Sequence, residues 1–157
     1  MHLLNRIAAV VLACSLAFLA CSRTSSRSPE EAFEALKSAY SASDAGAVTA
    51  LLSAASVEKI RKITTLIAGM GEEQQKALAT RLEIPVKRLK KLTPEEYLAL
   101  QFELGKKLNE DAVREAVSYK IAGVRMQNDR AVIRVENGME LVFVREEQSW
   151  KFDLGDW

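Results

Sequence analysis

The spacing of the apolar residues changes once along this chain, near Ser118, and this change limits the folds that the chain can form. Before Ser118 the apolar residues recur every three or four positions, which is the spacing of helices. After it they alternate, as Tyr119 and Ile121 do, which is the spacing of half-buried strands. A chain with helices first and strands last is expected to form an α+β domain, with helices packed on an antiparallel sheet.

Two helices of the first part begin with the same signal. In Ser28-Pro29-Glu30-Glu31 and in Thr93-Pro94-Glu95-Glu96, a capping hydroxyl precedes a proline and two acidic residues. Proline suits the first helical position, and a glutamate three positions after the cap completes a capping box. We therefore predict helices that begin at Pro29 and Pro94.

Shorter helices are predicted between these two. Asp44-Ala45-Gly46 ends the opening helix, and Ser56 is predicted to cap a later one. Ile84-Pro85 ends another, because proline disfavours the helical conformation at the residue before it. The predicted apolar seam of the last helix consists of Tyr97, Leu100, Leu104 and Leu108.

Four strands are predicted after Ser118. Gly123 interrupts the alternation of the first strand, which favours a bulge. Asn137-Gly138 favours a hairpin with a two-residue type I′ turn. Helices in residues 29–117 and a curved, four-stranded antiparallel meander in residues 118–157 are then expected to form a single domain.

The beginning of the chain carries a targeting signal. Residues 7–20 form a mostly apolar run between Arg6 and the next charged residue. The run is shorter than the ~20 residues that a membrane-spanning helix needs. Its length is that of the apolar part of a signal peptide. Ala20-Cys21 resembles the lipobox of bacterial lipoproteins. That resemblance implies a signal peptide in residues 1–20 and a lipidated Cys21. Residues 22–28 are polar and without periodicity, so residues 21–28 are expected to be the lipidated cysteine and a flexible tether. The expected location is the bacterial cell envelope, in the outer membrane facing the periplasm.

Two other ways of processing this segment stay open. Cys14 follows Leu12-Ala13 and could be the lipidated residue, but cleavage there leaves a shorter apolar core. Ordinary signal cleavage after Ala20-Cys21-Ser22 would give a product without an anchor. The length of the apolar run favours Cys21.

Processing at Cys21 excludes several function classes. The full chain has 22 basic residues, 21 acidic residues, one histidine and two cysteines. Cleavage before Cys21 removes Arg6, His2 and Cys14. The mature chain then has no net formal charge, so nucleic-acid binding is not expected. With no histidine and one cysteine it lacks an internal disulfide, a His/Cys zinc site and Ser-His or Cys-His catalysis. We expect no metal and no cofactor.

The domain resembles a known group of folds. The Asp44-Ala45-Gly46 break, the hairpin spacing and the Trp150-Lys151-Phe152 ending are similar to those of small secreted members of the nuclear transport factor two-like superfamily. The similarity covers residues 29–46 and 94–154. It implies a cone-shaped α+β fold whose cone holds ligands or catalytic groups in relatives. The side chains expected at the cone are aromatic: Phe33, Tyr40, Tyr97, Phe102, Tyr119, Trp150 and Phe152.

These aromatic residues have two interpretations. Aromatic side chains at helical and strand spacing usually fill a core, and this interpretation is favoured over a pocket. Isomerase-like relatives also need a carboxylate in the cone, where burial raises its pKa. Glu136, Glu140 and Asp153 alternate with apolar residues and are expected to face away from it. The chain is therefore not expected to be an enzyme.

A short basic run and the last residue are further candidates. The run consists of Lys87, Arg88, Lys90 and Lys91. A solvated helix face is the favoured interpretation, and contact with anionic lipid or envelope polymer is the alternative. Trp157 is expected either to cover a sheet edge or to contact a partner.

The leading functional prediction is a lipid-anchored, non-catalytic interaction or scaffold module that binds an envelope protein. The alternative is a carrier or sensor of a small apolar ligand in the cone. A remote alternative is an isomerase- or hydrolase-like enzyme. Val142 and Val144 make the third strand apolar on its outer face as well, so a homodimer through that face is also considered.

Overall fold

The computed structural model describes residues 26–155, apart from the side chains of residues 109, 110, 112, 113 and 116. In that range, helices precede an antiparallel sheet, so the predicted α+β class is confirmed. The helices are α1 (Pro29–Ser41), α2 (Ala45–Leu51), α3 (Ala54–Ala68), α4 (Glu72–Leu82), α5 (Val86–Leu89) and α6 (Pro94–Ser118). The strands are β1 (Ile121–Gln127), β2 (Arg130–Val135), β3 (Glu140–Glu146) and β4 (Ser149–Asp153).

The two predicted helix starts are confirmed. The hydroxyl of Ser28 accepts a hydrogen bond from the amide of Glu31 at 3.1 Å, and that of Thr93 accepts one from Glu96 at 3.1 Å. Glu96 completes its capping box, because its carboxylate accepts from the Thr93 amide at 2.8 Å. The capping box predicted at α1 is wrong in one bond, because it requires the Ser28 amide to donate to the Glu31 carboxylate. That carboxylate accepts from the amide of Arg27 instead, at 2.8 Å.

The predicted cap of α3 is wrong. Ser53, not Ser56, is the capping residue, and its hydroxyl accepts from the amide of Ser56 at 3.0 Å. Both serines are fully buried. The hydroxyl of Ser56 lies 2.8 Å from that of Ser53 and accepts from the amide of Leu154 at 2.9 Å. The sequence signal was ambiguous because either serine can cap a helix, and contact with the sheet decides between them.

The sheet is a meander in the order β1-β2-β3-β4, with each neighbouring pair antiparallel. The register of β1 against β2 shifts between Ile121 and Gly123, so the predicted bulge is confirmed. After the bulge, Val124 pairs with Ile133, and Ile133 pairs with Leu141. The shift restores an apolar inner face across the sheet.

The turn between β2 and β3 differs from the prediction. A type I′ turn needs a positive φ at both Asn137 and Gly138. Gly138 has a φ of +86°, but the φ of Asn137 is not positive. The Val135 amide donates to the carbonyl of Met139 at 3.0 Å, and the Gly138 amide donates to that of Val135 at 2.9 Å. These bonds define a three-residue loop in which glycine takes the left-handed position.

The main core lies on the inner face of the sheet. Ala131, Ile133 and Phe143 have no exposed surface, and α1 packs Ala32 and Phe33 against them. Burying one such large apolar side chain stabilises the fold by about 1.5–3 kcal/mol. A second cluster joins α1, α2 and α6 through Ala39, Val48, Leu51 and Phe102, and a third consists of Ala79, Leu89 and Leu92.

The outer edge of β4 is covered at Ser26, which precedes α1, and at Ser53, which precedes α3. The Trp150 amide donates to the carbonyl of Ser26 at 3.0 Å, and the Ser53 amide donates to that of Phe152 at 2.8 Å. These bonds satisfy backbone groups that an open edge would present to other chains. Trp157, one of the candidates for covering an edge, lies outside the described residues.

The predicted seam of α6 is wrong at its last position. Leu100 is buried and Leu104 is half-buried, but Leu108 is 82% exposed. The helix α6 continues to Ser118, but at Leu108 the predicted face meets solvent and not a neighbouring element. Helical spacing reports which side chains share a face, and the neighbouring elements decide how far that face is covered.

Candidate apolar ligand cavity

A cavity of about 330 Å³ lies between the helices and the inner face of the sheet and opens to solvent. The helices α1, α2 and α6 form one wall, and β3, β4 and the residues next to them form the other. Twelve of the described residues line it: Phe33, Leu36, Lys37, Tyr40, Val48, Leu52, Leu98, Val117, Met139, Leu141, Phe152 and Leu154. Ten of these side chains are apolar.

The spacing of α1 explains why it contributes a third of this lining. Phe33, Leu36, Lys37 and Tyr40 are separated by three, one and three positions, which places them on one face of a helix. On the sheet side, Leu141, Phe152 and Leu154 follow the alternation that also points Phe143 inward. The cavity therefore forms where the apolar face of α1 meets the inner face of β3 and β4.

Three of the seven predicted aromatic residues line the cavity: Phe33, Tyr40 and Phe152. The other four do not. Phe102 is buried beside Tyr40, with ring centres 5.0 Å apart in an edge-to-face arrangement. Trp150 is buried in the main core, and Tyr119 packs against that core. Tyr97 is half-buried on α6.

Tyr119 makes a polar contact at the edge of the fold. Its hydroxyl donates to the carboxylate of Glu115 at 2.7 Å. This hydrogen bond to a negatively charged group raises the pKa of Tyr119. The contact holds the end of α6 next to the start of β1.

Sequence reasoning missed nine of the twelve lining residues because it considered aromatic side chains alone. The helical spacing of Leu36 after Phe33 and the alternation of Leu141 with Phe143 could have identified these two residues. Val48 and Leu52 lie in or next to α2, and Leu98 lies on α6. The packing of these helices on α1 decides that they line the cavity, and spacing does not encode that packing.

Lys37 is the one charged residue among the twelve described lining residues. Its ammonium nitrogen lies 3.3 Å from both carboxylate oxygens of Glu34 and 5.1 Å from the centre of the Phe33 ring. The side chain of Lys37 is 20% exposed and that of Glu34 is 61% exposed. An ion pair one turn apart on a helix surface contributes only about 0.2–0.5 kcal/mol. Glu34 therefore holds Lys37 weakly.

The lining contains no carboxylate, thiol or imidazole among its twelve residues. The predicted outward-facing acids lie elsewhere: Glu136 and Glu140 are exposed, and Asp153 accepts from the hydroxyl of Ser53 at 3.1 Å. Within residues 26–155, no group of three or more His, Cys, Asp or Glu residues could hold a metal ion. The chemistry of this site is apolar contact with one cationic group beside it.

The predicted basic run does not form a continuous free surface. Arg88 donates two hydrogen bonds to the carboxylate of Glu103, at 2.8 and 2.7 Å. This contact lowers the pKa of Glu103 and raises that of Arg88, because each hydrogen bond favours the charged forms. Lys87, Lys90 and Lys91 are exposed. Arg88 therefore anchors α5 to α6 and leaves three lysines facing solvent.

No family model matches the sequence, and neither a curated protein nor a solved structure shows significant similarity to it. None of the helices described in residues 26–155 combines the length and apolar character needed to cross a bilayer.

Proposed function

We propose that this chain is a lipid-anchored protein of the bacterial cell envelope whose domain binds a small apolar ligand in the cavity beside α1. The observation that carries the proposal is the cavity itself, with a volume of about 330 Å³ and ten apolar side chains among its twelve. Ligand sites typically have volumes of about 300–1,000 Å³ and mostly apolar linings with a few polar groups. The function would be that of a carrier or sensor.

We further propose that the fold belongs to the nuclear transport factor two-like group. Helices that pack on one face of a four-stranded antiparallel meander, with a cavity between the two layers, support this assignment. Gly123 supports it as well, because a bulge increases the curvature of a strand.

The lipid anchor at Cys21 is the second part of the proposal and rests on the lipobox resemblance. Ser26 is buried and bound to Trp150, so the described domain begins at the edge of β4. Five residues of chain reach at most about 17 Å when fully extended. The domain would therefore sit close to the membrane surface.

A neutral fluorescent dye such as Nile red tests the cavity directly. We expect saturable binding to the folded protein, and at least about tenfold weaker binding to Leu36→Trp, because the larger side chain fills the cavity. Leu66→Trp is the matched control, since Leu66 is 71% exposed on α3 and lies outside the lining. Circular dichroism and a thermal melt verify that each variant folds.

The outcome also bears on the other functional predictions. Absence of saturable dye binding to folded protein would refute the cavity proposal and leave the interaction or scaffold module as the better hypothesis. The homodimer through Val142 and Val144, which are half-buried on the outer face of β3, stays a prediction. Contact of the basic run with anionic lipid or polymer also stays a prediction, as does the remote enzymatic alternative.

A further inference from the structure

The polar groups of the cavity lie together on one helix. Among the twelve lining residues, only Lys37 and Tyr40 carry polar side-chain atoms, and they are one turn apart on α1. The remaining lining on α2, α6 and the sheet is apolar. Within the part of the chain that the structure describes, a ligand in this cavity therefore meets hydrogen-bonding side chains only on the α1 side.

Both polar groups have unused hydrogen-bonding capacity. An ammonium group has three donors, and Lys37 directs two of them at the carboxylate oxygens of Glu34, each at 3.3 Å. This distance is longer than the 2.7–2.9 Å of a strong charged hydrogen bond. The hydroxyl of Tyr40 has no hydrogen-bond partner among the described residues. A bound anion would supply acceptors to both.

The position of Lys37 is fixed by more than its weak contact with Glu34. Its nitrogen lies over the Phe33 ring at 5.1 Å, and Phe33 is buried in the main core. A cation over an aromatic ring is held by the negative face of that ring. The positive charge therefore stays beside the cavity if Glu34 turns away to solvent.

From this arrangement we propose that the ligand is a single-chain anionic amphiphile. Its apolar tail lies in the cavity, and its carboxylate or phosphate group binds Lys37 and Tyr40. This inference rests on the proposed function and adds the chemical class of the ligand. Charge complementarity carries it, because the single charged residue among the twelve described lining residues is a cation and none of the twelve is an acid.

The test is displacement of Nile red from the full-length protein by four ligands with the same twelve-carbon tail. They are dodecanoic acid, dodecyl phosphate, dodecanol and dodecyltrimethylammonium, each used below its micelle-forming concentration. We expect the two anions to bind about tenfold more tightly than the alcohol, as one charged hydrogen bond allows. The cationic ligand should bind most weakly.

Variants at Lys37 separate its charge from its bulk. Lys37→Gln should reduce the affinity for the anions about tenfold and leave dodecanol unchanged, while Lys37→Arg should keep the preference for anions. Glu34→Gln should strengthen binding of the anions, because it removes the competing carboxylate. Lys76→Gln is the matched control, since Lys76 makes the same contact with Glu73, at 2.9 Å, on α4 and outside the lining.

The possible results distinguish the two proposals. Equal binding of acid and alcohol, unchanged in Lys37→Gln, would overturn the anionic ligand and leave the apolar cavity standing. If neither Nile red nor any of the four ligands binds the folded protein, both the apolar-cavity proposal and the anionic-ligand proposal are overturned. Binding by Cys21→Ser but not by the lipidated full-length chain would overturn the free amphiphile, since the chain's own lipid would then occupy the cavity. A preference shared by carboxylate and phosphate supports a general anionic site, and a preference for one of them identifies the head group.

Discussion

The main-chain amide of Ser53 donates a hydrogen bond to the carbonyl oxygen of Phe152 at 2.8 Å. The preceding residue, Leu52, forms an isolated parallel bridge with Phe152. Leu52 and Phe152 both line the cavity. The contact that covers the edge of the sheet therefore also positions one wall of the candidate site.

The hydroxyl of Ser53 is expected to be a major contributor to the stability of this junction. It caps α3 and lies between Ser56 and Asp153, at 2.8 and 3.1 Å. Ser53→Ala should lower the free energy of unfolding by about 1–3 kcal/mol, because a cap is lost and buried polar groups lose a partner. Urea denaturation measures this. Ser38→Ala, at an exposed position of α1, is the control, and equal stability of the two variants would contradict the prediction.

The β2–β3 hairpin is expected to depend on glycine at position 138. Its φ of +86° disfavours any side chain, although no atom lies within 4 Å of where a Cβ would be. Gly138→Ala should therefore destabilise the protein by about 1–2 kcal/mol through backbone strain alone. Gly69→Ala, at the end of α3 with a φ of −85°, should be neutral or slightly stabilising in the same thermal or urea titration. Equal effects at the two glycines would be inconsistent with this explanation.

The centre of the sheet should be the most sensitive position for truncation. Phe143 has no exposed surface, and its ring centre lies 5.5 Å from that of Phe152. Phe143→Ala should cost about 3–5 kcal/mol, because the transfer energy of the ring is lost and a cavity remains. Met126→Ala, at a 53% exposed position on β1, should cost far less. Chemical denaturation of both variants provides the comparison.

The Arg88–Glu103 pair predicts a small pH dependence. Its hydrogen bonds lower the pKa of Glu103 in the folded protein below the value in the unfolded chain. The stabilisation is thus present above the unfolded pKa and is lost as the pH falls through the folded pKa. Because Glu103 is 51% exposed, the contribution should stay below about 1 kcal/mol.

Glu103→Gln is the variant that measures this contribution. It should be slightly less stable than the parent protein at pH 7, and the difference should disappear at an acidic pH below the folded pKa of Glu103, where that carboxyl is protonated. Urea denaturation at the two pH values provides the test. A stability difference that grows on acidification would have the wrong sign.

Lipidation at Cys21 predicts where the protein fractionates. In a bacterial host with the lipoprotein pathway, the parent chain should sediment with membranes, and Cys21→Ser should be released, since lipid chains add about 0.8 kcal/mol for each buried CH₂. Mass spectrometry should find the lipid on Cys21. Cys14→Ser is the control and should leave both results unchanged. Mature protein with an unmodified Cys21 would contradict the anchor.

The local features of the fold were accessible from the sequence because they depend on neighbouring residues. The hydroxyls of Ser28 and Thr93 cap their helices within four residues, and Gly123 changes the register of one strand pair. The alternation after Ser118 determined which side chains of the sheet point inward. These signals established the α+β class and the order of its elements.

The candidate site was only partly accessible, because its composition depends on packing between distant segments. Phe33, Tyr40 and Phe152 were predicted from their aromatic character, whereas Lys37 was not considered because a charged residue on a helix usually faces solvent.

By itself, the sequence determined the helices, the strands and the inward faces, since hydrophobic spacing and capping act over a few residues. The tertiary structure alone decided that Ser53 rather than Ser56 caps α3, that Leu108 is exposed and that a cavity remains beside Lys37. The physical reason is the same in each case. Burial and hydrogen bonding depend on which surfaces meet across the fold, and here the meeting of α1 with β3 and β4 leaves space that the aromatic side chains do not fill.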